Sequence, residues 1–98
     1  MKTLDECRAS IDAIDNELLE LLNKRMKVVE EVGRIKKSTG GAIYRPEREK
    51  AIIERLTQKS MEQKGLLNAS AIEAIFLEIF AVSRNLELPE RIAYLGPE

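Results

Sequence analysis

Between Leu4 and Lys37 apolar side chains recur at heptad spacing. Leu4, Ile11, Leu18 and Val32 share one position with Arg25. Cys7, Ile14, Leu21, Val28 and Ile35 share a second, and Leu22 and Val29 share a flanking third with Arg8, Asp15 and Lys36. No proline interrupts the run and Gly33 is its only glycine, so the pattern predicts one helix from about Thr3 to about Lys37, ended by Ser38-Thr39-Gly40-Gly41. A second helix is expected from Arg45-Pro46, because proline suits the first helical position and Glu47 and Glu49 suit the positive end of the dipole. Ile52, Ile53 and Leu56 form its apolar face, and Gly65 is its expected stop. A third opens with Asn68 or Ser70 as cap, Ser70-Ala71-Ile72-Glu73 reading as a capping box. Ile72, Ile75, Phe76, Ile79, Phe80 and Leu86 carry its apolar face, and Pro89 lies just beyond its end. The tail differs in kind: Arg91-Ile92-Ala93-Tyr94-Leu95 reads as a strand and Gly96-Pro97 as a turn. A lone strand forms no sheet, so a second domain is expected to begin there.

The fold class is therefore all-α, with one long helix and two shorter ones. A first helix of about 35 residues is ~52 Å long at ~1.5 Å per residue. A compact domain of this size has a radius of gyration near ~13 Å. Two helices of about 18 residues each cannot cover such a stripe, whereas a second copy can, which predicts an intertwined helical homodimer.

Composition narrows the chemistry. Of 98 residues none is histidine, which excludes histidine-based acid–base catalysis, Ser-His or Cys-His nucleophilic sites and His-containing zinc sites. Cys7 has no base beside it and no second cysteine to pair with, so it is expected to be a small buried apolar residue in a reducing cytoplasm. A net charge of −1 provides no bulk field toward nucleic acid or an anionic membrane, and no apolar run approaches the ~20 residues of a span. No glycine-rich phosphate loop and no metal-ligand cluster is present, so no cofactor or metal is expected.

Against that background several charges are misplaced. Arg25 occupies a full core position, and Arg8 and Lys36 occupy the flanking one. Buried ion pairs with Asp15, Glu31 or a carboxylate of a partner chain, or snorkelling stems, would explain any single one of them. All three together favour a site for a polyanion. Glu49 lies one turn before Ile52 and Ile53, and Ser83 and Glu87 follow Phe76 and Phe80 by seven residues, so polar groups extend the apolar faces of the shorter helices. For Ser83 a back-bonded hydroxyl is the ordinary alternative, for Glu87 a solvated helix end, and for Arg48, in the first turn of the second helix, surface solvation. Arg25 and Lys36 are ~16 Å apart along the axis and can converge on one small ligand. Arg8 lies ~26 Å from Arg25, within reach only of a partner's site in an antiparallel dimer. Cations, hydroxyls and carboxylates without an activated nucleophile can bind a small dicarboxylate, freeze it in a reactive conformer and stabilise developing charge. Those tools suffice for a unimolecular rearrangement.

The stretch Arg8, Ile11-Asp12-Ala13-Ile14-Asp15, Leu18-Leu19, Leu21-Leu22, Arg25 and Val32-Gly33-Arg34-Ile35-Lys36 resembles the first helix of the all-helical chorismate mutases. Arg45-Pro46-Glu47-Arg48-Glu49 is similar to the start of that family's second helix, and Ile75-Phe76 through Ser83 and Glu87 to its third. Residues 92–98, Ile92 to Glu98, resemble the opening of prephenate dehydratase, so residues 1–88 are expected to form a mutase domain and 89–98 a linker and the start of a dehydratase-like domain. The resemblance implies an isomerase converting chorismate to prephenate in aromatic amino-acid biosynthesis, without a cofactor. Arg25 and the partner's Arg8 would bind the substrate carboxylates with Ser83 assisting, and Arg48 would support them. Lys36 and Glu87 would face the ether oxygen, and Glu49 would accept from the ring hydroxyl. Some members carry Asp where this chain has Arg45, so a side-chain hydroxyl contact there is not carried over. Two other readings stand beside this one: an isochorismate pyruvate-lyase on a similar fold, and a non-catalytic helical dimerisation or regulatory module.

Some family members have Gln at the Glu87 position. Glu87 donates a hydrogen bond only when protonated, whereas Gln donates at any pH. Catalysis is therefore expected to be faster at mildly acidic pH, and Glu87→Gln to flatten the profile. Identical pH–rate profiles for the two proteins would exclude this role.

Overall fold

The computed structural model describes residues 2–39 and 45–87. Gly40, Gly41 and the 89–98 segment with its expected strand lie outside these residues, as do the side chains of Thr39 and Glu87. Within them the chain forms three helices and no strand: α1 (Leu4–Thr39), α2 (Pro46–Glu62) and α3 (Ala69–Glu87).

Local chemistry explains each boundary. Thr3 caps α1 through a reciprocal box, its Oγ1 accepting from the Glu6 amide at 3.1 Å while Glu6 Oε1 accepts from the Thr3 amide at 2.9 Å. Lys36 and Lys37 fall in the last turn, where the dipole favours cations. Pro46 opens α2, with Glu47 and Glu49 in its first turn. Asn68 is the cap of α3, its Oδ1 accepting from the Ala71 amide at 2.8 Å. Ser70 is already inside the helix, so the box expected from Ser70 to Glu73 does not mark the start.

Helix α2 ends at Glu62, beside the Gln63-Lys64-Gly65 stretch where it is expected to fade. The residue with positive φ is Lys64, at 55°, rather than Gly65. The Gly65 amide donates to Ser60 O at 2.8 Å and the Lys64 amide to Met61 O at 3.1 Å, the paired bonds of a Schellman motif. Gly65 is required for space: a Cβ there would sit 2.8 Å from Ser60 Oγ, which is engaged with the Leu67 carbonyl at 2.8 Å.

Helix α3 packs against both α1 and α2. The apolar core of one chain is small, with Ile52, Ile72 and Phe80 its buried hydrophobic residues among those described. Phe76 stacks on Phe80 in a tilted pair with centroids 5.9 Å apart. The chain measures 54 × 31 × 23 Å with a radius of gyration of 17.0 Å, well above the ~13 Å of a compact domain this size. Along α1, Leu4, Ile11, Ile14, Leu18 and Leu21 are each more than half exposed. Its N-terminal half thus carries an apolar stripe that α2 and α3 leave uncovered. Cys7 lies on that half and is exposed, which overturns the expectation that it is buried.

A left-handed lysine is strained, so Lys64→Gly is expected to stabilise the fold by about 0.5–1 kcal/mol. Gly65→Ala should destabilise it by pushing Ser60 off Leu67. Thermal unfolding of both variants checks the two signs, and a Lys64→Gly protein no more stable than the parent would refute the first.

Candidate functional site

One open cleft of about 530 Å³ lies where the three helices meet. Helix α1 presents Arg25, Val28, Val29, Val32 and Lys36 to it, a spacing of three, four, seven and eleven residues that keeps all five on one face. Arg48, Glu49 and Ile52 come from α2, and Phe80, Ser83 and Arg84 from α3. The valines, Ile52 and Phe80 supply apolar surface, and the remaining groups named here are polar.

Arg25 occupies a position where the heptad pattern calls for an apolar side chain. Its Nη1 donates to Ser83 Oγ at 3.0 Å, and its guanidinium carbon lies 5.8 Å from the Phe80 ring centroid. Ser83 is itself buried, and its hydroxyl also reaches back to the Ile79 carbonyl at 2.9 Å, so it combines the back-bonded and the site-facing role. Arg25 has no carboxylate partner among the described residues, which removes the ion-pair explanation with Asp15 or Glu31. Burial lowers its pKa first, and the neighbouring positive charge of Arg48 lowers it further. Arginine nevertheless remains a cation at neutral pH. Two guanidiniums therefore repel each other across a half-desolvated space, and an anion placed between them relieves both costs.

The structure brings together five of the residues singled out from the sequence: Arg25, Lys36, Arg48, Glu49 and Ser83. Lys36 is half-buried on the cleft wall, and Arg48 is exposed at it. Arg8 is not among them; it lies on the exposed N-terminal half of α1. Glu87 is the last residue of α3, with its side chain outside the described set. Arg45 also lines the cleft, with its Nε donating to Glu47 Oε2 at 3.0 Å.

Sequence reading missed Lys24 and Arg84. The signal for Arg84 was available: Phe76, Phe80 and Arg84 are spaced by four, so they share a stripe on α3. Among the described residues the cleft thus carries the cations Lys24, Arg25, Lys36, Arg45, Arg48 and Arg84 against a single lining carboxylate, Glu49, in a chain whose net charge is −1. Among the described residues no cluster of three His, Cys, Asp or Glu side chains could hold a metal ion, and no helix is long and apolar enough to cross a membrane.

Comparison with known proteins gives a consistent result. The profile of the chorismate mutase type II family matches residues 7–88. A bifunctional chorismate mutase/prephenate dehydratase of Aquifex aeolicus is 38% identical over 99 residues, covering 100% of this chain and 27% of that protein. The enzyme of the same name from Neisseria gonorrhoeae is 39% identical over 101 residues, covering 99% of the chain and 26% of that protein. The chain therefore spans about a quarter of the length of these relatives. Among solved structures, a chorismate mutase from Helicobacter pylori in complex with prephenate superposes with a TM-score of 0.76 at 37% identity, covering 86% of this chain and 88% of that one.

Proposed function

This chain belongs to the chorismate mutase type II family, and from that we propose that its cleft binds chorismate and rearranges it to prephenate without a cofactor. The observation that carries the reading is the cluster of Arg25, Lys36 and Arg48 around an apolar cleft in which Arg25 has no carboxylate partner among the described residues. The substrate is a dicarboxylate. Arg25 holds one carboxylate with Ser83 assisting, Arg48 supports it, and the partner's Arg8 holds the other. Glu49 accepts a hydrogen bond from the ring hydroxyl.

In the rearrangement the ether C–O bond breaks as a new C–C bond forms, and both happen within one molecule. Negative charge grows on the ether oxygen. Lys36 donates to it, and Glu87, at the end of α3, faces the same oxygen. Donors fixed beforehand cost no reorganisation when that charge appears. The walls hold the enolpyruvyl side chain over the ring, which converts a floppy substrate into one near its reactive geometry.

The functional unit is a homodimer in which α1 of a second copy, running antiparallel, covers the stripe from Leu4 to Leu21 that one chain leaves exposed. Such an arrangement makes two composite sites, each borrowing one Arg8, and accounts for the distance of Arg8 from its own chain's cleft. Residues 89–98 lead into a dehydratase-like domain that consumes prephenate, a reading supported by the bifunctional relatives. Neither nucleic acid nor membrane is a partner, and the setting is the cytoplasm.

Loss of chorismate absorbance with product identification by chromatography tests the activity. Prephenate is the expected product, and Arg25→Ala should lower kcat/KM by a factor of ~10² or more while the dimer persists. Inert chorismate would overturn the reading, and turnover of isochorismate would then identify a lyase. Shared sites have their own signature. Arg8→Ala and Arg25→Ala chains are each inactive, but refolded together in equal amounts they should recover about a quarter of the parental activity. Half of the dimers are then mixed, and each mixed dimer has one intact site of two. No recovery would exclude the partner's Arg8 from the site.

A further inference from the structure

Glu49 is a carboxylate among cations. Arg25, Arg45 and Arg48 all line the same cleft, and a glutamate with three rotatable bonds could turn toward any of them. Instead Arg84 Nη1 donates to Glu49 Oε2 at 2.5 Å, joining α2 to α3 across 35 residues of sequence. The side chains are partly withdrawn from water, Glu49 at 20% exposure and Arg84 at 38%. Oε1 of Glu49 has no hydrogen-bond partner among the described residues.

We infer that Arg84 is a positioning residue: it clamps one oxygen of Glu49 so that the other is held ready for the substrate's ring hydroxyl. The inference rests on the reading of the cleft as a chorismate site. Two physical consequences follow from the pairing. The glutamate loses its rotamer freedom before substrate arrives, so less ordering remains to be done on binding. Its negative charge is also offset by a guanidinium, which weakens its repulsion of an incoming dianion. Both act on a group present in the ground state and the transition state alike, so both appear in KM rather than in kcat. A strut that merely ties α2 to α3 would affect stability and leave KM alone.

The test measures kcat, KM and thermal stability for the parent, Arg84→Met, Arg84→Lys, Glu49→Gln and the double variant Arg84→Met/Glu49→Gln. Arg84→Met should raise KM for chorismate roughly tenfold with kcat within about twofold, and Arg84→Lys should recover most of the loss. In the double variant the Arg84 change should add nothing to Glu49→Gln, because the clamp acts only through Glu49. If Arg84→Met does not fold, Arg84→Gln makes the same comparison. An unchanged KM, whatever happens to stability, would overturn the inference. So would losses that add in the double variant, since Arg84 would then touch substrate independently. Failure of the underlying reading looks different: the parent itself would leave chorismate unconverted, and the inference would fall with it.

Discussion

The structure turns on one costly placement, a guanidinium on the apolar seam of a long helix. Arg25 is half-withdrawn from water, repelled by Arg48 and, among the described residues, compensated only by a neutral hydroxyl and a ring face. An uncompensated cation in such surroundings is unfavourable unless an anion completes it. The surrounding helices meet this demand in part. Phe80 supplies the negative face of a ring, and Ser83, buried and anchored to Ile79, supplies an oriented oxygen. Among the described residues nothing supplies the remainder.

A second constraint comes from length. A 36-residue helix spans ~54 Å, and two helices of 17 and 19 residues cannot cover it. The consequence is visible in the exposed leucines and isoleucines of the N-terminal half of α1. The same geometry separates Arg8 from the cleft that Arg25 and Lys36 share. Fold and site are therefore coupled in the proposed dimer: the stripe that calls for a second copy and the arginine that finds no site on its own chain lie on the same half of one helix.

Charge in the cleft is arranged rather than merely accumulated. Among the described residues six cations face one lining carboxylate, and that carboxylate is held by Arg84 instead of by the arginines nearest to it in sequence. Helix α3 makes this possible because it packs on both other helices. It places Ser83 against α1 and Arg84 against α2 from adjacent positions, so one turn of helix engages both Arg25 and Glu49.

The sequence by itself determined the helices and most of the polar residues that line the cleft. Heptad recurrence over α1, Pro46 before α2 and the polar residues following Asn68 are local signals, and local backbone chemistry obeys them. Arg25, Lys36, Glu49 and Ser83 were legible for the same reason, as polar groups breaking an apolar period. Only the tertiary structure decided the partners. Asn68 rather than Ser70 caps α3, and Lys64 rather than Gly65 takes the left-handed turn, choices between neighbouring residues that periodicity leaves open. That Arg25 meets Ser83 and not Asp15 or Glu31, and that Glu49 meets Arg84, follows from the packing of α3 against α1 and α2. Periodicity assigns a residue to a face of its own helix; which residue stands opposite is set by the angle and register of another helix, and no single segment of sequence contains that information.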